Sequence, residues 1–399
     1  MEKATRQHTK AHNRNLVFTT IIGHDKISRA EIARITSLTP ATVSDIVADL
    51  IKGGLVGEVG IGPSIGGKNP ILLGLREDAR WLIGLDLAVN EFRGAVVNLR
   101  GKISETVTIQ VKNHEGNEAL SLVYEMLDQL IAKAHQPLVG IGVGAPGLIN
   151  ASEGMVINAV NLNWKNLPLT QLLTDRYHLP VCIMNDCQAA AIGERTYAKD
   201  HISEENLILI NLRHGIGSGI VINGSLFQGD GGSAGEIGHV VVMPENGELC
   251  RCGNRGCLET VASVQALLRH ARALAGQYPH SALNEAHGEI TLEQIEVAFA
   301  QEDDLARRLV LDTAYYTGMA IASLVGTFNI QKIVLSGDMT HFGVPWLQKI
   351  NETMKHMALE TPLTNTTVEI GQLGNDGIIL GAAAVLANNY SLLFNPKDI

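Results

Sequence analysis

His239, Cys250, Cys252 and Cys257 follow the spacing H-x10-C-x-C-x4-C. Three thiolates and one imidazole complete a tetrahedral zinc shell. Any fold of this chain must therefore gather four side chains of residues 239–257 around one point, and Gly253 and Gly256 supply the tight turns that closure needs. A shell closed by four protein ligands leaves no position for a hydrolytic water, so the zinc is expected to be structural. It would also hold Glu236 and Glu259, on either side of the cluster, in fixed orientations. With three of the five cysteines in this cluster, no disulfide framework is expected, and the location expected is cytoplasmic.

The remaining composition narrows the class. A chain of 399 residues with 45% hydrophobic and 18% charged residues excludes extensive disorder. Forty-one glycines and only 4% aromatics suit α/β architecture with tight turns. No uninterrupted apolar run reaches the ~18–20 residues of a membrane span, so no membrane insertion is expected. Thr317–Phe328, the most apolar stretch, reads as a buried helix, and the opening MEKATRQHTKAHNRN lacks the apolar segment of a signal peptide.

The net charge of −10 argues against nucleic acid until it is divided along the chain. Residues 1–76 hold ten basic and six acidic side chains, which places +4 there and −14 on the rest. A basic head on an acidic body is expected when one module alone meets DNA. Asn13–His24 reads as a helix burying Leu16, Val17, Phe18 and Ile21. Ser28 and Glu31 match a capping box opening a short helix with Ile32 and Ile35 inward. Thr39 can cap a third helix with Pro40 at its first position. Val43, Ile46, Val47, Leu50 and Ile51 then form one apolar stripe, which Gly53-Gly54 ends. Leu55–Val59 and Ile71–Leu75 read as strands around a glycine-rich tip, Gly60–Pro70. Three helices and a hairpin make a winged helix-turn-helix. Its reading helix would offer Thr39, Thr42 and Ser44, with Ala41 against a thymine methyl and Lys68 on the wing toward a minor groove. Asp45 either accepts from a cytosine amino group or turns away.

From Trp81 onward the pattern is α/β. Trp81–Asp86, Arg93–Asn98 and Thr106–Val111 read as strands, followed by a helix at Glu118–Ala134 and strands at Leu138–Val143 and Val181–Met184. A second series begins with Asn206–Asn211 and Gly219–Ile222 and includes Lys332–Ser336, which suggests two related lobes. Asn185-Asp186 closes a strand ahead of the helix Cys187–Tyr197, the edge where open α/β sheets bind ligands. Asp186 there is a general base, a hydroxyl acceptor or simply part of a helix cap. The run Gly215–Gly219, placed between two strands, is either an anion-binding turn or a glycine-rich hairpin. Asn161, Asn185, Asp186, Glu236, His239 and Glu259 supply the carboxylates, amides and imidazole that a polyol requires.

Asn206–His239, ending Gly235-Glu236-Ile237-Gly238-His239, resembles the signature of the ROK family of repressors, open reading frames and kinases, and CRCGNRGCLE at Cys250–Glu259 resembles its zinc motif. The winged head ahead of this body is similar to the repressor branch, with its xylose, N-acetylglucosamine and glucose-responsive groups. The resemblance implies a two-lobed, actin-like (ribonuclease-H-like) body over residues 77–399. One lobe would hold about 77–195 and a C-terminal helix at 376–399, the other about 196–375 with the zinc site. It implies a sugar in the interlobe cleft, contacted by Gly147, Asn161, Asn185, Asp186, Glu236, His239 and Glu259. In the family's kinases the residue matching Asp186 is the catalytic base, and ATP needs an Asp-x-Gly-Gly-Thr loop. Here that loop reads Asp86-Leu87-Ala88-Val89-Asn90, the Gly-Thr-Gly loop reads Arg213-His214-Gly215, and the adenosine-side glycine run shrinks to Ser336-Gly337-Asp338. Side chains at these positions keep backbone N–H groups from a phosphate, so neither phosphoryl transfer nor an ATP cofactor is expected.

The expected function is a sugar-responsive repressor of carbohydrate genes. A homodimer or homotetramer would bind a pseudo-palindromic operator and take a glucose-, xylose- or N-acetylglucosamine-class effector. The alternatives are an ATP-dependent sugar kinase retaining a DNA-binding head, and a repressor sequestered by a sugar-transporter domain.

Overall fold

The computed structural model describes residues 6–63, 69–135, 137–201, 204–284, 289–359, 365–387 and residue 393. The chain divides into two compact units, Met1–Ser203 with Ile378–Ile399, and Glu204–Gly377.

Helices α1 (Arg6–Ile22), α2 (Arg29–Thr36) and α3 (Pro40–Lys52) open the first unit. A three-stranded sheet ordered β1-β3-β2 completes the winged helix-turn-helix, with β1 at Ile27–Ser28, β2 at Val56–Ile61 and β3 at Ile71–Leu75. Helix α1 starts two turns before the apolar periodicity does, because residues 6–12 contain no helix breaker. The Ser28 hydroxyl accepts from the Glu31 backbone N–H at 3.2 Å, and the Thr39 hydroxyl accepts from that of Thr42 at 3.2 Å. Both caps lie where the sequence predicts them. Val17, Phe18, Ile21, Ile32, Val43, Val47 and Leu50 are fully buried. Ile35, expected inward, is 45% exposed, since the two short turns of α2 bury a single residue, Ile32. Leu16 and Ile51 are only partly buried. Arg14 and Asp49 form an ion pair of 2.6 Å that ties α1 to α3. Lys68 and the wing tip around it lie outside the described residues.

The same unit continues as a five-stranded sheet ordered β11-β7-β4-β5-β6. Its strands are β4 (Trp81–Leu87), β5 (Glu91–Asn98), β6 (Ile103–Gln110), β7 (Leu138–Ala145) and β11 (Val181–Asn185). The first three form an antiparallel meander, and β7 and β11 add in parallel. Helix α4 (Gly116–Lys133) buries Val123, Met126, Leu127 and Leu130 against it, and α6 (Asp186–Tyr197) follows β11. The helix at Gly377–Ala387 also packs here, its Ile379 and Ala382 carbonyls lying against Gly84 and Gly142, which have no side chain to hold them off.

A small sheet of β8 (Leu148–Asn150), β9 (Met155–Ala159) and β10 (Trp164–Leu167), ordered β10-β9-β8, was not expected. Strands of three to five residues carry too few alternations to register as a period-2 pattern. Trp164 anchors it, donating its indole N–H to the Gly116 carbonyl at 2.8 Å.

The second unit repeats the arrangement as β14-β13-β12-β15-β16. Its strands are β12 (Leu207–Leu212), β13 (Ile216–Ile222), β14 (Ser225–Phe227), β15 (Lys332–Ser336) and β16 (Thr367–Ile370). Again an antiparallel meander is extended by two parallel strands, so the two expected lobes share one topology. Ile216–Gly219, expected as a turn, is strand: Ile216 pairs with Leu212 and Gly219 with Leu209, leaving only Arg213–Gly215 between β12 and β13. Glycine inside a buried strand mimics a turn in the sequence. Helix α10 (Asp304–Phe328) is long and apolar enough to cross a membrane, but Thr317, Gly318, Ile321 and Val325 lie buried in this unit's core.

Candidate functional site

In the second unit the candidate metal ligands converge. One ligand atom from each of His239, Cys250, Cys252 and Cys257 lies within 4.8 Å of all the others. Cys252 Sγ and Cys257 Sγ are 3.6 Å apart, and Cys250 Sγ is 3.5 Å from His239 Nδ1. A tetrahedral shell with ~2.3 Å zinc–sulfur bonds sets sulfurs about 3.7 Å apart, so the donor set and its spacing fit such an ion. The loop is closed by backbone bonds, with Cys250 N–H donating to Asn254 and Gly256 N–H to Glu248.

The imidazole of His239 faces two ways. Its Nδ1 points to the thiols, and Nε2 lies 3.9 Å from Glu236 Oε2. Once Nδ1 holds a metal, Nε2 carries the proton and is a donor toward that carboxylate or a hydroxyl beside it. Burial pushes the Glu236 carboxyl above the usual range.

Glu259 is buried at the start of a short helix, Glu259–Ala262. Its Oε2 accepts from the Ile216 backbone N–H at 3.2 Å and from Arg251 Nη2 at 3.1 Å, while Oε1 lies 3.1 Å from Arg251 Nε. This approach is open because Gly215 has no side chain; a Cβ there would sit 2.5 Å from Oε2. Arg251 was not among the residues the sequence singled out. Its position inside the cysteine loop, between two ligands, is the signal that could have found it. His214 joins the same neighbourhood, where burial, followed by the Arg251 charge, holds its imidazolium below the usual range.

In the first unit, Asn185 and Asp186 do cap α6. Asn185 Oδ1 accepts from the Cys187 and Gln188 backbone N–H groups, at 2.9 and 3.2 Å, and Asp186 Oδ1 accepts from Cys187 N–H at 2.8 Å. Asn185 Nδ2 donates to the Gly147 carbonyl at 3.1 Å, keeping a second N–H for another acceptor. Gly147 has φ +86°, and a side chain there would run into the Asn158 carbonyl, so only glycine fits. Asn161 lies in the 3-10 turn between β9 and β10, two residues beyond the Ala159 backbone that Gly147 touches. The unexpected small sheet is thus what carries Asn161.

On the head, Thr39, Ala41 and Ser44 are exposed along the N-terminal part of α3, with Asp45 beside them. Thr42 is partly covered, its hydroxyl 2.9 Å from that of Thr39.

The ROK family model matches residues 82–389. The chain belongs to the ROK family. A xylose repressor of Caldicellulosiruptor bescii is 33% identical over 387 residues, covering 95% of this chain and 96% of that protein. A glucokinase of Halalkalibacterium halodurans is 35% identical over 309 residues, covering 76% of this chain and 93% of that one. Among solved structures, a ROK family transcriptional regulator described as a homologue of the Escherichia coli Mlc protein superposes with a TM-score of 0.84 at 27% identity, covering 97% of this chain and 98% of that one. A ROK glucokinase of Streptomyces griseus, in complex with glucose and AMPPNP, superposes with a TM-score of 0.70 at 28% identity, covering 76% of this chain. These two kinases match about three quarters of this chain. The xylose repressor and the transcriptional regulator match nearly all of it.

Proposed function

We propose that this protein is a sugar-responsive repressor of carbohydrate genes, not a kinase. The observation that carries the reading is a winged helix-turn-helix, whose α3 presents Thr39, Ala41 and Ser44 to solvent, joined in one chain to a ROK body. The match of the xylose repressor over nearly the whole length supports it. Thr39, Ala41, Thr42 and Ser44 read base edges, and Lys68 on the wing contacts DNA. A homodimer places two heads on a pseudo-palindromic operator.

Gly147, Asn161, Asn185 and Asp186 in one unit, with Glu236, His239 and Glu259 in the other, are the proposed sugar contacts. Zinc on His239, Cys250, Cys252 and Cys257 is structural; when bound, it fixes the imidazole so that Nε2–H serves as a donor. The loop Asp86–Asn90 lacks the two glycines and the threonine that a phosphate needs, which supports binding without phosphoryl transfer.

The test is selection of duplexes from a random-sequence pool, followed by mobility shift with D-xylose, D-glucose and N-acetyl-D-glucosamine. A selected duplex whose affinity one of these sugars changes at least fivefold supports the reading. Failure to select any duplex would sink it, and so would sugar-dependent ATP hydrolysis abolished by Asp186→Asn.

A further inference from the structure

Helix α6 runs from the proposed sugar contact to the β5–β6 turn. Asp186 is the first of its twelve residues and Tyr197 the last, eleven positions and about 16 Å apart. Tyr197 is partly exposed, but its hydroxyl is buried with no hydrogen-bond partner among the described residues, so packing alone fixes the ring. That ring lies against Gly101, where a Cβ would come within 2.7 Å of its Cδ1 and where φ is +77°.

Gly101 belongs to the β5–β6 turn, which hydrogen bonds brace as one piece. The buried Asn98 amide accepts from the Arg100 and Lys102 backbone N–H groups, at 3.0 and 2.9 Å, and donates to Asp78 at 2.8 Å. From this turn Arg100 reaches the C-terminal end of α1. Its Nη1 donates to the Ile22 carbonyl and its Nη2 to the His24 carbonyl at 3.0 Å. Asp25, 3.8 Å from Nη2, and Glu77, 3.6 Å from Nε, complete the surroundings of the guanidinium. Helix C-termini carry unpaired carbonyls and partial negative charge, and a planar guanidinium can engage two of them at once.

We propose that α6 is a push-rod from the sugar site to the DNA-binding head: a ligand at Asn185–Asp186 displaces Tyr197 against Gly101, and Arg100 carries that displacement to α1. Through the Arg14–Asp49 pair, α1 passes it to the reading helix α3. This coupling rests on the repressor reading above. It adds three positioning residues, Tyr197, Gly101 and Arg100, that touch neither sugar nor DNA.

The test uses the full chain, a selected duplex and whichever of the three sugars shifts wild-type binding. Arg100→Ala and Arg100→Lys are expected to keep sugar-free operator affinity within about threefold and sugar affinity, by calorimetry without DNA, within about twofold. Their sugar-induced change in operator affinity should fall below about twofold, because the flexible ammonium of lysine lacks the rigid planar fork that holds both carbonyls in fixed positions. Tyr197→Ala should uncouple equally, whereas Tyr197→Phe, which keeps the ring, should respond as wild type does. A wild-type response in Arg100→Ala overturns the push-rod and leaves the repressor reading standing, as does loss of sugar-free operator binding in both Arg100 variants. A wild type that binds no duplex, or answers no sugar, overturns both.

Discussion

The Arg251 guanidinium lies edge-on to the Glu259 carboxylate, with Nε 3.1 Å from Oε1 and Nη2 3.1 Å from Oε2. Glu259 is buried, while Arg251 is 43% exposed. Arg251→Ala leaves the carboxylate with the Ile216 N–H and no cation. Solvent screening at the arginine discounts the cost of losing a buried pair. A loss of about 1–2 kcal/mol is expected in urea unfolding of this unit, and Arg251→Lys should recover only part of it.

Removal of the metal should act on the same unit. Purified protein is expected to hold one zinc per chain by elemental analysis, and Cys257→Ser to hold none. Chelation should destabilise the second unit by about 3–5 kcal/mol while leaving the circular dichroism of the first largely intact. Unchanged stability after verified metal loss would mean that the loop closes on its backbone bonds alone.

Gly147→Ala tests the first unit's polar set. It forces a Cβ into the φ +86° region and against the Asn158 carbonyl. The turn must shift by roughly 1 Å, at a cost of about 2–4 kcal/mol. Because the Gly147 carbonyl positions the Asn185 amide, sugar affinity should fall at least tenfold. Sugar affinity equal to wild type would remove Asn185 from the proposed contacts.

Thr39→Ala should remove the cap of the reading helix, at a cost of about 1 kcal/mol, with weaker operator binding in mobility shift. Thr39→Ser should restore both.

Asp303 gives a pH dependence with a definite sign. Burial raises its pKa, but the backbone N–H groups of Ala306 and Ala282 and the Ser281 hydroxyl outweigh burial and hold the carboxyl below the usual range. A depressed folded value means that the stabilisation is complete above the unfolded value, ~3.9, and is lost as pH falls through the folded one. Asp303→Asn should therefore lower the unfolding midpoint at pH 8, where the stabilisation is complete, and the two proteins should converge as pH falls below about 4, which flattens the acid limb of the variant.

Whatever depends on spacing along the chain was legible before the chain folded. The two caps at Ser28 and Thr39 and the stripe from Val43 to Leu50 are local patterns that hold in three dimensions, and His239, Cys250, Cys252 and Cys257, close in sequence, also converge in space. Repetition of a hairpin followed by βα units was legible from strands of five to eight residues, whereas β14, of three residues, and β16, of four, were not. Pairing between distant residues was not legible. Arg251 became the partner of Glu259 only when the cysteine loop folded back on Gly215, and the small sheet holding Asn161 has strands too short to show a period. Tyr197, Gly101 and Arg100 are an ordinary aromatic, turn glycine and surface cation until α6 is laid across the β5–β6 turn. Local hydrogen bonding and periodicity are set by neighbours in sequence, while contacts across a core depend on which surfaces burial brings together. Tertiary structure alone decided those contacts.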